Sequence, residues 1–174
     1  MFELPKVANV SAGNAPFTIV VTWADKTRSK VDMTGLVARS KHFGVFRDDP
    51  KGFREVRPTE FGGGIEWDNG LDYGADTLKL LADEQKVLTG RDLARFEDEF
   101  RLNAEELAHV FEVTTRSISN WRRFSRKALP ATVAMALRTF RRDPTAFMAH
   151  YRPIEVKPRG RPKSAASKRN SGSK

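Results

Sequence analysis

Apolar and polar residues alternate over residues 17–23, Phe17-Thr18-Ile19-Val20-Val21-Thr22-Trp23, which puts Phe17, Ile19, Val21 and Trp23 on one side of an extended chain. β-Branched and aromatic side chains at a period of two predict a strand with that side inward. Ala24-Asp25-Lys26-Thr27 supplies a turn, a return strand is expected over Arg28 to Asp32, and Thr34 is placed to cap a short helix through Leu36 to Ala38. A second sheet segment is expected from Phe53 to Val56. Gly62-Gly63-Gly64 predicts a sharp bend or a close backbone approach, Ile65-Glu66-Trp67 a short strand, and Asp68-Asn69-Gly70 a hairpin turn. After Asp76, the stretch Thr77 to Glu84 has helical spacing and leads to a joint near Leu88-Thr89-Gly90.

Beyond Gly90 the period lengthens. Leu93, Phe96 and Phe100, then Leu107 and Phe111, Ile118 and Trp121, and Val133, Leu137 and Phe140 all recur at three- and four-residue spacing, each set defining one buried helical stripe. Asn103 with Glu106 has the spacing of a capping box, Thr114 can cap the next helix, Pro130 suits a first turn, and Asp143-Pro144 opens another helix. Four or five short helices follow. The fold class expected is thus a small α+β domain over residues 1–88, an all-α domain over 90–151, and a tail over 152–174 whose Pro, Lys, Arg, Ser, Gly and Ala residues predict disorder.

Composition narrows the classes of function. Of 174 residues, 39% are hydrophobic and 30% charged, with 12 Phe and 3 Trp, enough bulk for packed cores. The absence of Cys excludes thiol nucleophiles, disulfides and thiolate zinc sites and suits a reducing, cytoplasmic location. No membrane helix, secretory signal, cofactor or metal site is expected, since apolar runs are short and the three His are scattered. The net charge of +9 is unevenly placed: residues 1–89 carry 12 basic and 13 acidic side chains, residues 90–174 carry 19 and 9. Thr114 to Arg142 holds eight Arg or Lys and no acid, whereas Arg91 to Glu112 holds seven acids and three Arg. A charge run can be simply a solvated helix face; a polarised basic surface also suits an anionic partner.

A motif lies beneath this charge. In Asn103-Ala104-Glu105-Glu106-Leu107-Ala108-His109-Val110-Phe111-Glu112-Val113-Thr114-Thr115-Arg116-Ser117-Ile118-Ser119-Asn120-Trp121, small Ala108 permits a close helix crossing, while Leu107, Val113, Ile118 and Trp121 can anchor both helices on a shared core. This stretch resembles the helix-turn-helix of the lambda-repressor-like family. With Leu129-Pro130 and the helix carrying Val133, Ala134 and Leu137, the resemblance covers about residues 90–142. It departs at Glu112, where the turn usually has Gly, so a left-handed Glu is expected there at a cost of about 1 kcal/mol.

The resemblance implies double-stranded DNA as partner, a homodimer reading two half-sites, and a bacterial transcriptional regulator. Thr115, Arg116 and Asn120, with Ser119 as a weaker candidate, match positions that read bases in that family. Asn103 and Thr114 at helix N-termini, and Arg122, Arg123, Arg126 and Lys127 past the second helix, are candidates for phosphate contacts. A plain helical bundle that binds protein would share Ala108, Ile118 and Trp121. It would not require the polar face of Thr115, Arg116, Ser119, Asn120 and Arg123.

In the tail, Arg159-Gly160-Arg161-Pro162 looks like an AT-hook, whose arginines lie along an A·T minor groove; a nonspecific basic tail is the other reading. Phe17 to Leu81 resembles a bacterial α+β domain family of unknown function. That resemblance brings a fold without an activity, and leaves open a protein partner or ligand for residues 1–88. An antitoxin that binds a toxin and represses its own operon is the alternative. Asp68, Asn69, Asp72 and Asp76 lack the order of a calcium loop and read as turn and cap residues, and Gly62-Gly63-Gly64 lacks the pattern of a phosphate loop. No catalytic constellation emerges, so an enzyme is not expected.

Overall fold

The structure, a computed structural model, describes residues 4–154. The minor-groove candidates Arg159, Gly160, Arg161 and Pro162 lie outside the described residues. The fold is mixed α+β, and the chain divides into two compact units, one running to Leu88 and taking in Ala128–Arg138, the other comprising Thr89–Lys127 and the chain from Thr139 onward.

In the first unit, β1 (Val7–Ala12), β2 (Thr18–Trp23) and β3 (Arg28–Asp32) form an antiparallel meander in the order β1-β2-β3. Ile19, Val21 and Trp23 alternate inward, and Ile19 stands opposite Val31. The Trp23 indole N–H donates to Ser29 Oγ across the hairpin at 2.9 Å. Phe17 belongs to the expected inward set but precedes the strand, in a left-handed conformation with φ 50°. Helix α1 (Thr34–Arg39) begins one residue earlier than the sequence suggests. Met33 is its N-cap, and Thr34 is the first helical residue rather than the cap, because Asp32 Oδ1 has already taken the Thr34 N–H at 2.8 Å.

A 3-10 turn (Phe43–Arg47) and helix α2 (Pro50–Phe53) follow. The strand expected over Phe53 to Val56 is therefore corrected: Phe53 ends a helix. Asp49 caps this helix through the Gly52 N–H at 2.9 Å and Pro50 presets its first turn, so the start signal outweighs a short apolar pattern. The second sheet is built from β4 (Arg57–Pro58), β5 (Gly64–Glu66) and β6 (Asp72–Gly74). Its glycines permit close approach. A Cβ on Gly62, at φ +68°, would fall 2.5 Å from the Val7 carbonyl oxygen, and one on Gly64 would fall 2.5 Å from that of Tyr73.

Helix α3 (Ala75–Gln85) follows the second sheet, with Leu78 fully buried. The core is aromatic: Phe46, Phe53 and Trp67 lie within 5.7 Å of one another by ring centroid, and the Trp67 indole N–H donates to the Phe53 carbonyl at 2.8 Å. The acidic turn residues do local structural work. Asp68 pairs with Arg57, Asn69 Oδ1 accepts the Leu71 N–H, and Asp76 Oδ1 accepts the Thr77 N–H.

The second unit holds α4 (Gly90–Phe100), α5 (Ala104–Val110), α6 (Thr115–Arg123) and α8 (Pro144–His150). The unit boundary falls within α7 (Ala131–Arg142), at Arg138. Pro130 lies one residue ahead of α7, and its carbonyl accepts the Ala134 N–H at 3.0 Å. Asp143 caps α8, with Pro144 in its first turn. Phe96 is the centre of an aromatic cluster, with ring centroids 4.4 Å from Phe100, 5.7 Å from Phe111 and 6.1 Å from Phe147.

Candidate nucleic-acid interface

Helix α5 starts in a reciprocal capping box: Asn103 Oδ1 accepts the Glu106 N–H and Glu106 Oε2 accepts the Asn103 N–H, both at 2.9 Å. Glu106 is buried, and its other oxygen accepts the Tyr151 hydroxyl at 2.7 Å and the Ile154 N–H at 3.4 Å. The Asn103 N–H bond holds the Glu106 carboxyl below the ordinary glutamate range, with Tyr151 and Ile154 adding to the effect against the opposing push of burial. Asn103 Nδ2 donates to the Ile154 carbonyl at 3.0 Å. Both ends of the Asn103 amide thus serve the fold.

The turn from α5 to α6 passes through Glu112 at φ 52°, the left-handed conformation expected at that position. Val113 N–H returns to the Ala108 carbonyl at 2.8 Å and Glu112 N–H to that of His109 at 3.0 Å, closing the end of α5. Thr114 then caps α6, its Oγ1 accepting the Ser117 N–H at 3.1 Å. Buried Leu107, Ala108 and Ile118 anchor the helix pair.

Trp121 requires correction as a core residue: it is half-buried, like Val113, and Ile118 supplies the deep anchor of α6. Its carbonyl oxygen instead lies against Gly90 at the start of α4, where an added Cβ would have no room.

Thr115, Arg116, Ser119, Asn120 and Arg123 are all exposed while Ile118 is buried, and together the five make one polar face. Ser119 Oγ donates to the Thr115 carbonyl at 3.0 Å. Arg122 is not on that face: its guanidinium pairs with Glu97 of α4 and is partly buried. Arg141 pairs with Glu99 at 3.0 Å, and Arg138 donates to the Lys86 carbonyl. The acid-rich stretch before α5 therefore absorbs part of the basic run after it.

Arg116, Arg123, Arg126 and Lys127 keep no carboxylate partner among the described residues, and all four are exposed. Three of them border the loop after α6, together with an exposed Phe124 that sequence reasoning passed over. Its signal was an aromatic residue between cations at a helix end. Among the described residues there is no cluster of His, Asp or Glu able to hold a metal, and no helix is long and apolar enough to cross a membrane.

No family model matches the chain, and no curated protein matches it. Among solved structures, one from Nitrosomonas europaea, named "Putative DNA Binding Protein", is similar at 24% identity over 84% of this chain and 95% of that one, with a TM-score of 0.44.

Proposed function

We propose that the second unit contains a lambda-repressor-like helix-turn-helix that places α6 in the major groove of double-stranded DNA, and that the protein is a transcriptional regulator. The observation that carries this reading is the selective neutralisation of charge. Within the acid-free run Thr114 to Arg142, Arg122 and Arg141 are paired with acids from α4, while Arg116, Arg123, Arg126 and Lys127, on the polar face of α6 and in the loop following it, are exposed with no carboxylate partner among the described residues. A polyanion would meet these cations first, and the short polar side chains between them can reach base edges.

In this reading Arg116, Thr115 and Asn120 address bases, Ser119 less directly because its hydroxyl also bonds its own helix. Arg123, Arg126 and Lys127 hold phosphates, with Thr114 at the α6 N-terminus. Arg122 and Asn103 contribute by fixing the helices rather than by meeting the backbone, since the Arg122 guanidinium is turned to Glu97 and the Asn103 amide is bonded at both ends within the unit. The protein binds as a homodimer on paired half-sites about one helical turn apart.

Selection of bound sequences from random duplex, repeated with Arg116→Ala, tests this reading. The parent chain is expected to enrich one motif. Arg116→Ala should relax one position of that motif and weaken binding to it by about 1–3 kcal/mol. Failure of the parent to enrich any sequence would reject specific recognition.

A further inference from the structure

Phe124 is 55% exposed at the C-cap of α6, an unusual place to leave an aromatic ring in water. It sits in a shallow surface depression formed by Arg123, Phe124, Ser125, Arg126 and Lys127. The Arg123 guanidinium lies 5.5 Å from the centre of its ring.

The loop that carries it is held at several points. Phe124 N–H donates to the Asn120 carbonyl at 2.9 Å and Lys127 N–H to the Phe124 carbonyl at 2.8 Å. The start of α4 braces the same loop, with Arg91 N–H donating to Ser125 at 3.0 Å and Gly90 N–H to Lys127 at 3.3 Å. Gly90 makes this approach possible, because a Cβ there would lie 2.9 Å from Ser125 Cα. The ring is thus presented by a fixed backbone.

We propose that Phe124 is an apolar anchor for the sugar-phosphate backbone of DNA, its ring covering deoxyribose while Arg123, Arg126 and Lys127 take the flanking phosphates. This rests on the helix-turn-helix reading and adds to it a contact made by neither charge nor base edge. Charge complementarity selects the occupant. A second copy packed across a two-fold axis would set the same three cations against themselves, whereas a DNA backbone alternates anionic phosphates with apolar sugar faces. The ring also lies directly beyond the polar face of α6, where a helix seated in a groove meets the groove wall.

Fluorescence anisotropy of the full chain with a selected duplex and a scrambled one, each across a salt series, separates the contributions. Phe124→Ala should weaken binding to both duplexes by the same roughly five- to tenfold, the scale of burying an exposed aromatic face, with the salt slope unchanged. Phe124→Leu should restore most of that loss. Lys127→Ala should instead lower the slope by about 0.9, as expected for one phosphate. A melting temperature equal to that of the parent shows that Phe124→Ala leaves the fold intact, as its exposure requires.

Unchanged affinity for both duplexes, a loss confined to the selected sequence, or a change in oligomeric state without loss of DNA binding would each overturn the inference alone. If the parent chain bound neither duplex, the helix-turn-helix reading would fall with it.

Discussion

Glu112 is the residue at which local chemistry and the turn conflict most openly. A side chain in the left-handed region brings its Cβ against the carbonyl, a cost of roughly 1–2 kcal/mol that glycine escapes. The turn nevertheless adopts φ 52°, and in that conformation the Ala108 and His109 carbonyls at the end of α5 accept the Val113 and Glu112 N–H groups. Glu112→Gly should therefore stabilise the second unit by about 0.5–1 kcal/mol, part of the relief being offset by the freer unfolded chain. Thermal melting checks this, and an unchanged or lower melting temperature would show that the turn carries no such strain. The position was legible through the resemblance of residues 103–121 to a helix-turn-helix, in which the turn usually has Gly at this point. The half-burial of Trp121 was not, since a helical period marks which face a residue occupies and not how much protein lies over it.

At the scale of elements, start signals proved more readable than strand edges. Asn103 with Glu106, Thr114 and Asp143-Pro144 all cap helices as their spacing predicts, because a cap is a bond between near neighbours. Strand β1 went unforeseen for a physical reason: the register shifts between Val7 and Asn9, so the buried Val7 and Val10 are three residues apart and break the period of two. Thr34 and the expected strand at Phe53 failed where a neighbouring Asp captured a backbone N–H first.

The α5 cap also sets a pH dependence. Glu106 has its pKa lowered in the folded state, first by the Asn103 N–H and then by Tyr151 and Ile154. Its contribution to stability is accordingly present above the ordinary glutamate pKa of about 4.3 and is lost as pH falls through the lowered folded value. Melting temperatures across that range should fall more steeply for the parent than for Glu106→Gln, which has no carboxylate to protonate there. Parallel profiles would mean that the charge of Glu106 does not support the cap.

Over the whole chain, the broad outline was readable and the distribution of charge only half so. The strand over Thr18–Trp23, the return over Arg28–Asp32, the hairpin at Asn69-Gly70 and the helices beyond Gly90 all follow from periodicity and turn chemistry. The net charge of residues 90–174 is also plain from the sequence. Which of those cations face outward is a tertiary fact. Arg122 meets a glutamate 25 residues away, and spacing along α6 gives no hint of that partner. The exposure of Phe124 is likewise a tertiary fact, since the braced loop that leaves it in solvent is not marked in the sequence.

The central claim is that the polar face of α6 enters a duplex groove. Amide chemical shifts of the isotope-labelled full chain, followed as a selected duplex is added at low ionic strength, test it most directly. The account predicts the largest shifts at Thr115, Arg116, Ser119, Asn120 and Arg123, extending into Phe124, Arg126 and Lys127, with residues of β1–β3 unmoved. A bound complex in which the amides of α6 keep their free positions while other residues shift would contradict it.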